Sequence, residues 1–144
     1  MNTFSKKMKF RIILFSLPLL LIGCKYEHET IPYVNVNFTI YPDDVTYAPL
    51  NHTGGYMYFT GGVNGVVVYR VNPENFVAYD RACPYDWTDS DSWICVDESG
   101  LILQDSCCSS QFNILDGTVI SGPAYLPLKF YRTTYDGRRL RVHN

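Results

Sequence analysis

The sequence predicts an all-β domain, an antiparallel sandwich or small barrel, and three observations carry that prediction. Segments rich in Val, Ile, Tyr, Phe and Thr recur about every 8 to 12 residues, the spacing of short antiparallel strands. Gly-, Asp- and Asn-bearing turn signals separate them. No stretch keeps the i, i+3, i+4 apolar period over the roughly 10 residues that an independent helix would need.

In chain order, Val34, Val36, Phe38 and Ile40 alternate with Asn35, Asn37 and Thr39, a half-buried strand that begins near Tyr33. Tyr56–Thr60 and Val66–Arg70 flank Gly61-Gly62-Val63-Asn64-Gly65, a hairpin. Asn72-Pro73-Glu74-Asn75 is a turn before the strand Phe76–Cys83. Trp93–Val96 and Leu101–Gln104 are joined by Asp97-Glu98-Ser99-Gly100. Phe112–Leu115 and Thr118–Ile120 meet around Asp116-Gly117, a type I′ signal. Lys129–Tyr135 and Arg138–Val142 meet at Asp136-Gly137. Neither internal repeats nor low-complexity stretches interrupt this order.

The first residues follow a different logic. Lys6, Lys7, Lys9 and Arg11 form a basic flank to the 11-residue apolar run Ile12–Ile22. That run is too short for a membrane-spanning helix, which needs about 20 residues. It ends in Leu21-Ile22-Gly23-Cys24, which resembles the bacterial lipobox. The resemblance implies a signal peptide over residues 1–23, cleavage before Cys24, and a lipid on that thiol that anchors the chain to a membrane. Residues 24–31 are the acylated cysteine and a polar tether, and residues 32–144 the domain. By resemblance to Gram-negative sorting rules, Lys25 after the cysteine favours the outer membrane; the expected location is the cell envelope. Four of the 12 basic residues lie in the signal, leaving eight against 14 acidic, a balance of −6. The surviving basic group, Arg138, Arg139 and Arg141, alternates along a last strand, so nucleic acid is not an expected partner. The expected partners are the membrane and a protein of unknown identity.

The second half of the domain resembles the Rieske iron–sulfur family. Ala82-Cys83-Pro84-Tyr85 stands where that family has its first cluster loop, Cys-x-His, and Asp105-Ser106-Cys107-Cys108-Ser109-Ser110-Gln111-Phe112 where it has the second, Cys-Pro-x-His-Gly-Ser-x-Phe. The tail follows in family order: Asp116-Gly117, Ser121-Gly122-Pro123-Ala124, Pro127-Leu128, and Asp136-Gly137 before Leu140 and Val142. The resemblance runs from about Gly65 to Val142. It implies a Rieske-like β domain whose residues 80–125 form a cluster-binding-type loop subdomain. A Rieske 2Fe-2S centre takes two thiolates on one iron and two imidazoles on the other. Here Cys83 alone keeps its type. Tyr85 stands for the first histidine, Asp105 for the second-loop cysteine and Cys108 for the second histidine, while His28, His52 and His143 fall outside both loops. The two-imidazole centre cannot form.

Cys83, Cys95, Cys107 and Cys108 are an even set, which in an oxidising compartment reads first as disulfides. The resemblance favours 83–108 with 95–107, because respiratory Rieske proteins carry an inter-loop bridge through the position of Cys107. Each bridge would contribute about 2–4 kcal/mol. The alternative is an atypical 2Fe-2S cluster at Cys83, Tyr85, Asp105 and Cys108, with zinc ranked below it; against either metal centre, Cys-x-x-Cys is absent and adjacent cysteines rarely chelate one centre well. No resident cofactor or metal is therefore expected. Thiol–disulfide catalysis lacks its Cys-x-x-Cys at a helix start. Asp86, Asp89 and Asp91, in the run Asp86–Trp93 that holds both tryptophans, read as a solvated loop rather than a Ca²⁺ site, since an EF-hand's glycine turn and distal glutamate are missing. Ser109 and Ser110 have no His and Asp in a nucleophile arrangement. The expectation is a lipid-anchored, non-enzymatic structural or interaction module, with electron transfer as the alternative.

Overall fold

The computed structural model describes residues 30–144. The signal peptide expected over residues 1–23, the acylation site Cys24 and all but the end of the tether lie outside the described residues. Among the described residues no helix is long and apolar enough to cross a membrane.

Ten strands follow in chain order: β1 (Asn37–Ile40), β2 (Tyr56–Phe59), β3 (Val66–Arg70), β4 (Phe76–Asp80), β5 (Ile94–Val96), β6 (Ile102–Asp105), β7 (Gln111–Asn113), β8 (Val119–Ser121), β9 (Phe130–Tyr135) and β10 (Leu140–His143). A six-stranded sheet runs β1-β10-β9-β4-β3-β2 and a four-stranded sheet runs β5-β6-β7-β8, with every pair antiparallel. The small sheet is one insertion between β4 and β9, neighbours in the large one. The all-β expectation therefore holds, including the loop subdomain.

β3 is buried along its whole length, which period-2 alternation alone would not predict. The reason is that its two faces feed two cores. Val66 and Val68 join Val36, Ile40, Leu50, Phe76, Ala78, Tyr131, Leu140 and Val142 inside the curled large sheet. Val67 and Tyr69 face the other way, with Tyr79, against Ile94, Leu103, Phe112, Ile114 and Leu128 of the inserted subdomain. A strand covered on both sides reads as a continuous apolar run. Burying a Val or Ile side chain here contributes about 1.5–3 kcal/mol, so the subdomain is docked mainly by the second core.

Several boundaries differ from the sequence reading, each for a local reason. β1 starts at Asn37 and not near Tyr33, because its partner β10 ends at His143; beyond it, Val36 N–H is met by the Asn144 side chain at 2.6 Å. The strand expected over Phe76–Cys83 stops at Asp80, whose carboxylate takes the Ala82 N–H (3.0 Å) and draws the chain off the ladder. The Asp116-Gly117 turn is not type I′. That type needs positive φ at both central residues, whereas Gly117 (φ 72°) is left-handed and Asp116 is not. Burial of Ile114 in the second core ends β7 early, and the five-residue connection to β8 closes through Gly117 N–H to Asn113 O (2.8 Å). The sequence reading also missed a 3₁₀ helix over Val45–Asn51, capped by Asp44 through the Thr46 N–H (2.9 Å). Seven residues are too few to show a period; the segment is held by buried Leu50.

Candidate functional site: a thiol and carboxylate pocket between two loops

The pocket is built from the ends of β4, β5 and β6. Asp80, fully buried, accepts four hydrogen bonds: Val63 N–H (2.8 Å) and the Tyr131 hydroxyl (2.7 Å) on one oxygen, Asn64 N–H (3.1 Å) and Ala82 N–H (3.0 Å) on the other. These bonds tie the β2–β3 turn and β9 to the residues that deliver Cys83. Just beyond, Arg81 donates from Nε to Ile94 O (2.7 Å), and its guanidinium lies 4.0 Å from the Tyr58 ring centroid and 5.3 Å from that of Trp93. This fork, with Ile94 N–H to Arg81 O (2.9 Å), clamps the two ends of the first loop.

At the end of β6, Asp105 is 1 % exposed. Its Oδ1 accepts the N–H groups of Cys107 (2.8 Å) and Cys108 (2.7 Å), so the carboxylate shapes the second loop from within. Ser109 turns that loop in the left-handed region (φ 60°), a conformation few non-glycine residues adopt. Ser110, fully buried, accepts Ala124 N–H (3.1 Å) and turns its hydroxyl toward Cys108 Sγ at 3.0 Å. Ser92, also fully buried, lies 2.8 Å from Asp86 Oδ1 and 2.8 Å from Asp105 Oδ2. Cys83 (0 % exposed) and Cys108 bring their sulfurs to 3.7 Å. One donor atom from each of Cys83, Asp86, Asp105 and Cys108 lies within 4.8 Å of the others.

Burial pushes the Cys83 thiol up, against a backbone N–H bond from Tyr85 that favours its thiolate. Burial also raises Cys108, opposed by the Ser110 hydroxyl and the Ser110 N–H. Residual desolvation, with the Asp89 and Asp86 carboxylates, raises Cys107. None of these three is an activated nucleophile of the kind a thiol enzyme needs.

The structure corrects the cysteine expectation. All four stand as free thiols, and neither the 83–108 nor the 95–107 bridge is formed. The first pair is brought together, yet 3.7 Å is a contact and not a bond of about 2.05 Å. The second pair is not brought together. Cys95 is registered opposite Gln104 and its sulfur accepts from Arg81 (3.4 Å), while exposed Cys107 faces Asp89 at 3.8 Å. Tyr85, expected at a former histidine position, is 50 % exposed. Asp86, one residue later, supplies the oxygen instead; it was read as part of a solvated loop, as was Ser92. The signal that would have found them is their interleaving with Asp105-Cys107-Cys108, which needs the β5–β6 register. In the acidic loop Asp89 accepts the Asp91 N–H (3.0 Å).

The donors do not fit the Rieske cluster. By the resemblance, Cys83 and Cys108 would stand at positions that belong to different irons, and a two-iron, two-sulfide core would have to lie between them. Their sulfurs touch, and no imidazole enters either loop.

Fold and site together define a two-sheet β domain with a buried thiol and carboxylate pocket between the β4–β5 and β6–β7 loops. No family model matches the chain, and no curated protein matches it. Among solved structures it is similar to the ferredoxin of carbazole 1,9a-dioxygenase from Nocardioides aromaticivorans IC177 (17 % identity, TM-score 0.49, 76 % of this chain and 97 % of that one). It is also similar to a chain in the complex of reduced oxygenase and oxidized ferredoxin of carbazole 1,9a-dioxygenase (20 %, TM-score 0.47, 66 % and 86 %). A third similar structure is the Sphingomonas yanoikuyae B1 ferredoxin (20 %, TM-score 0.39, 56 % and 74 %).

Proposed function

We propose that this chain is a lipid-anchored module of the cell envelope that keeps a Rieske-like two-loop frame without an iron–sulfur cluster, and acts by binding or architecture rather than by catalysis. The observation that carries this reading is the closed pocket: two sulfurs 3.7 Å apart at positions that would belong to different irons. Asp105, where a ligand cysteine would stand, spends one oxygen on the N–H groups of its own loop. The raised Cys83 and Cys108 thiols support a role other than nucleophilic chemistry. The basic flank, short apolar run and lipobox ending at Cys24 support the anchor.

The test is iron and acid-labile sulfide, with a visible spectrum, on the protein purified without oxygen after cluster reconstitution. The expected result is a colourless, iron-free protein. Near-stoichiometric iron and sulfide that vanish in Cys108→Ser would refute the proposal and establish the alternative, electron transfer by an atypical 2Fe-2S protein. For the anchor, Cys24→Ser is expected to release the protein from the membrane fraction; unchanged membrane association would overturn that half of the reading.

A further inference from the structure

We propose that the pocket between the two loops binds a single divalent metal ion of the zinc type, held by Cys83 and Cys108 sulfur with Asp86 and Asp105 oxygen. The proposal rests on the cluster-free reading above and goes beyond it. The first support is spacing. Two thiolates bound to one tetrahedral ion at about 2.3 Å stand about 3.8 Å apart, and these sulfurs are 3.7 Å apart. Two thiolates and two carboxylates, all within 4.8 Å, form the mixed sulfur and oxygen set that a borderline-soft ion without geometric preference accepts.

The second support is independent of spacing: two carboxylates share one neutral donor. The Ser92 hydroxyl has one hydrogen, yet lies 2.8 Å from an oxygen of each carboxylate, so it cannot serve both. Among the described residues no lysine, arginine or histidine forms an ion pair with Asp86 or Asp105. Asp105 is buried and Asp86 half-buried, and a buried negative group normally has a cation or a metal beside it.

The third support is the surrounding shell. Ser110, two residues beyond Cys108, lies fully buried beside it. Ser110 turns its hydroxyl to Cys108 Sγ at 3.0 Å, and Asp105 is fixed by two N–H groups. Such outer partners orient ligands and spread their charge. Binding would release two thiol protons to solvent and leave the ion between two thiolates and two carboxylates, tempered by the N–H groups on Asp105 and the Ser110 hydroxyl. The sequence argued against a metal because Cys107 and Cys108 are adjacent. The fold removes that objection, since Cys107 points away and Asp86 takes the fourth position.

The experiment uses the full chain in mild detergent, with thiols reduced and metals removed by chelation, titrated with Co²⁺ and then with Zn²⁺. The expected result is one Co²⁺ per chain, with visible bands of a tetrahedral site and sulfur-to-cobalt charge transfer, all erased by one equivalent of Zn²⁺. Asp86→Asn is expected to weaken binding 10- to 100-fold, and Cys107→Ser and Cys95→Ser to leave it unchanged. Because Cys83→Ser endangers the core, the sulfur ligands are read on the parent chain, by mapping which cysteines Zn²⁺ protects from alkylation; Cys83 and Cys108 are expected. Absent cobalt bands, or protection of Cys107 in place of Cys108, would overturn the metal site alone. Iron with acid-labile sulfide in the earlier measurement would overturn both readings.

Discussion

Replacing Asp80 by asparagine is expected to destabilise the domain more than any isosteric change at its surface. Asp80 is fully buried and receives only donors: three backbone N–H groups and the Tyr131 hydroxyl. Asparagine keeps one acceptor oxygen and presents an NH₂ where the other stood. Tyr131 can reverse its hydroxyl and accept, so the least costly placement puts the NH₂ on the Val63 and Tyr131 side. That strands the Val63 N–H, at about 1–3 kcal/mol for a buried unpaired donor, and turns two charge-assisted bonds into neutral ones at about 1 kcal/mol each. The sum is about 3–5 kcal/mol, a large part of the 5–15 kcal/mol typical of a domain. In urea, with a slope of about 1–3 kcal/mol per molar, the midpoint should fall by about 2 M with the slope unchanged. Tyr131→Phe removes one donor and leaves the carboxylate three, so about 1–2 kcal/mol is expected. The double variant should lose less than the sum, by at least about 1 kcal/mol, because the partners are in contact. An unfolding free energy for Asp80→Asn within about 1 kcal/mol of the parent, or strict additivity, would refute the view that this carboxylate organises the β2–β3 turn, β9 and the approach to Cys83.

Gly62→Ala should also be severe: Gly62 has φ 64°, and an added Cβ would fall 2.4 Å from Asp80 Oδ2 and 2.7 Å from the Tyr131 hydroxyl. A loss of more than about 2 kcal/mol in the same urea assay is expected, and a neutral result would mean the turn relaxes freely. Tyr79→Phe should instead stabilise by about 1 kcal/mol, since the Tyr79 hydroxyl is buried without a hydrogen-bond partner among the described residues; a loss of that size would reveal a partner. Stability should decline on the alkaline side. Burial and the Asp80 carboxylate raise the Tyr131 hydroxyl well above its ordinary value of about 10, so the folded state holds this proton more tightly than the unfolded one. The contribution is complete below about pH 10 and is lost as pH rises beyond it. Thermal melts above pH 10 should therefore fall less steeply in Tyr131→Phe than in the parent.

The order of strands and turns was legible because it depends on short-range chemistry. Alternation in Val36–Ile40, glycines in the β2–β3 turn and Asp136-Gly137 before β10 act within a few residues, and the structure keeps each of them. The resemblance of the two loops likewise singled out Cys83, Asp105 and Cys108, which do converge. What the sequence by itself determined about this protein is therefore an all-β chain with two thiol-bearing loops and without the histidines of a two-imidazole cluster. Only the tertiary structure decided how those loops close. It turned Asp86 and Ser92 inward, sent Cys107 outward to Asp89, and separated Cys95 from its expected mate by giving its sulfur to Arg81. The physical reason is that inward and outward on a loop are set by the register of β5 on β6 and by the Asp105 carboxylate within the second loop. Side-chain direction alternates with register, so residues 12 to 25 positions apart converge or diverge through contacts that no local pattern records.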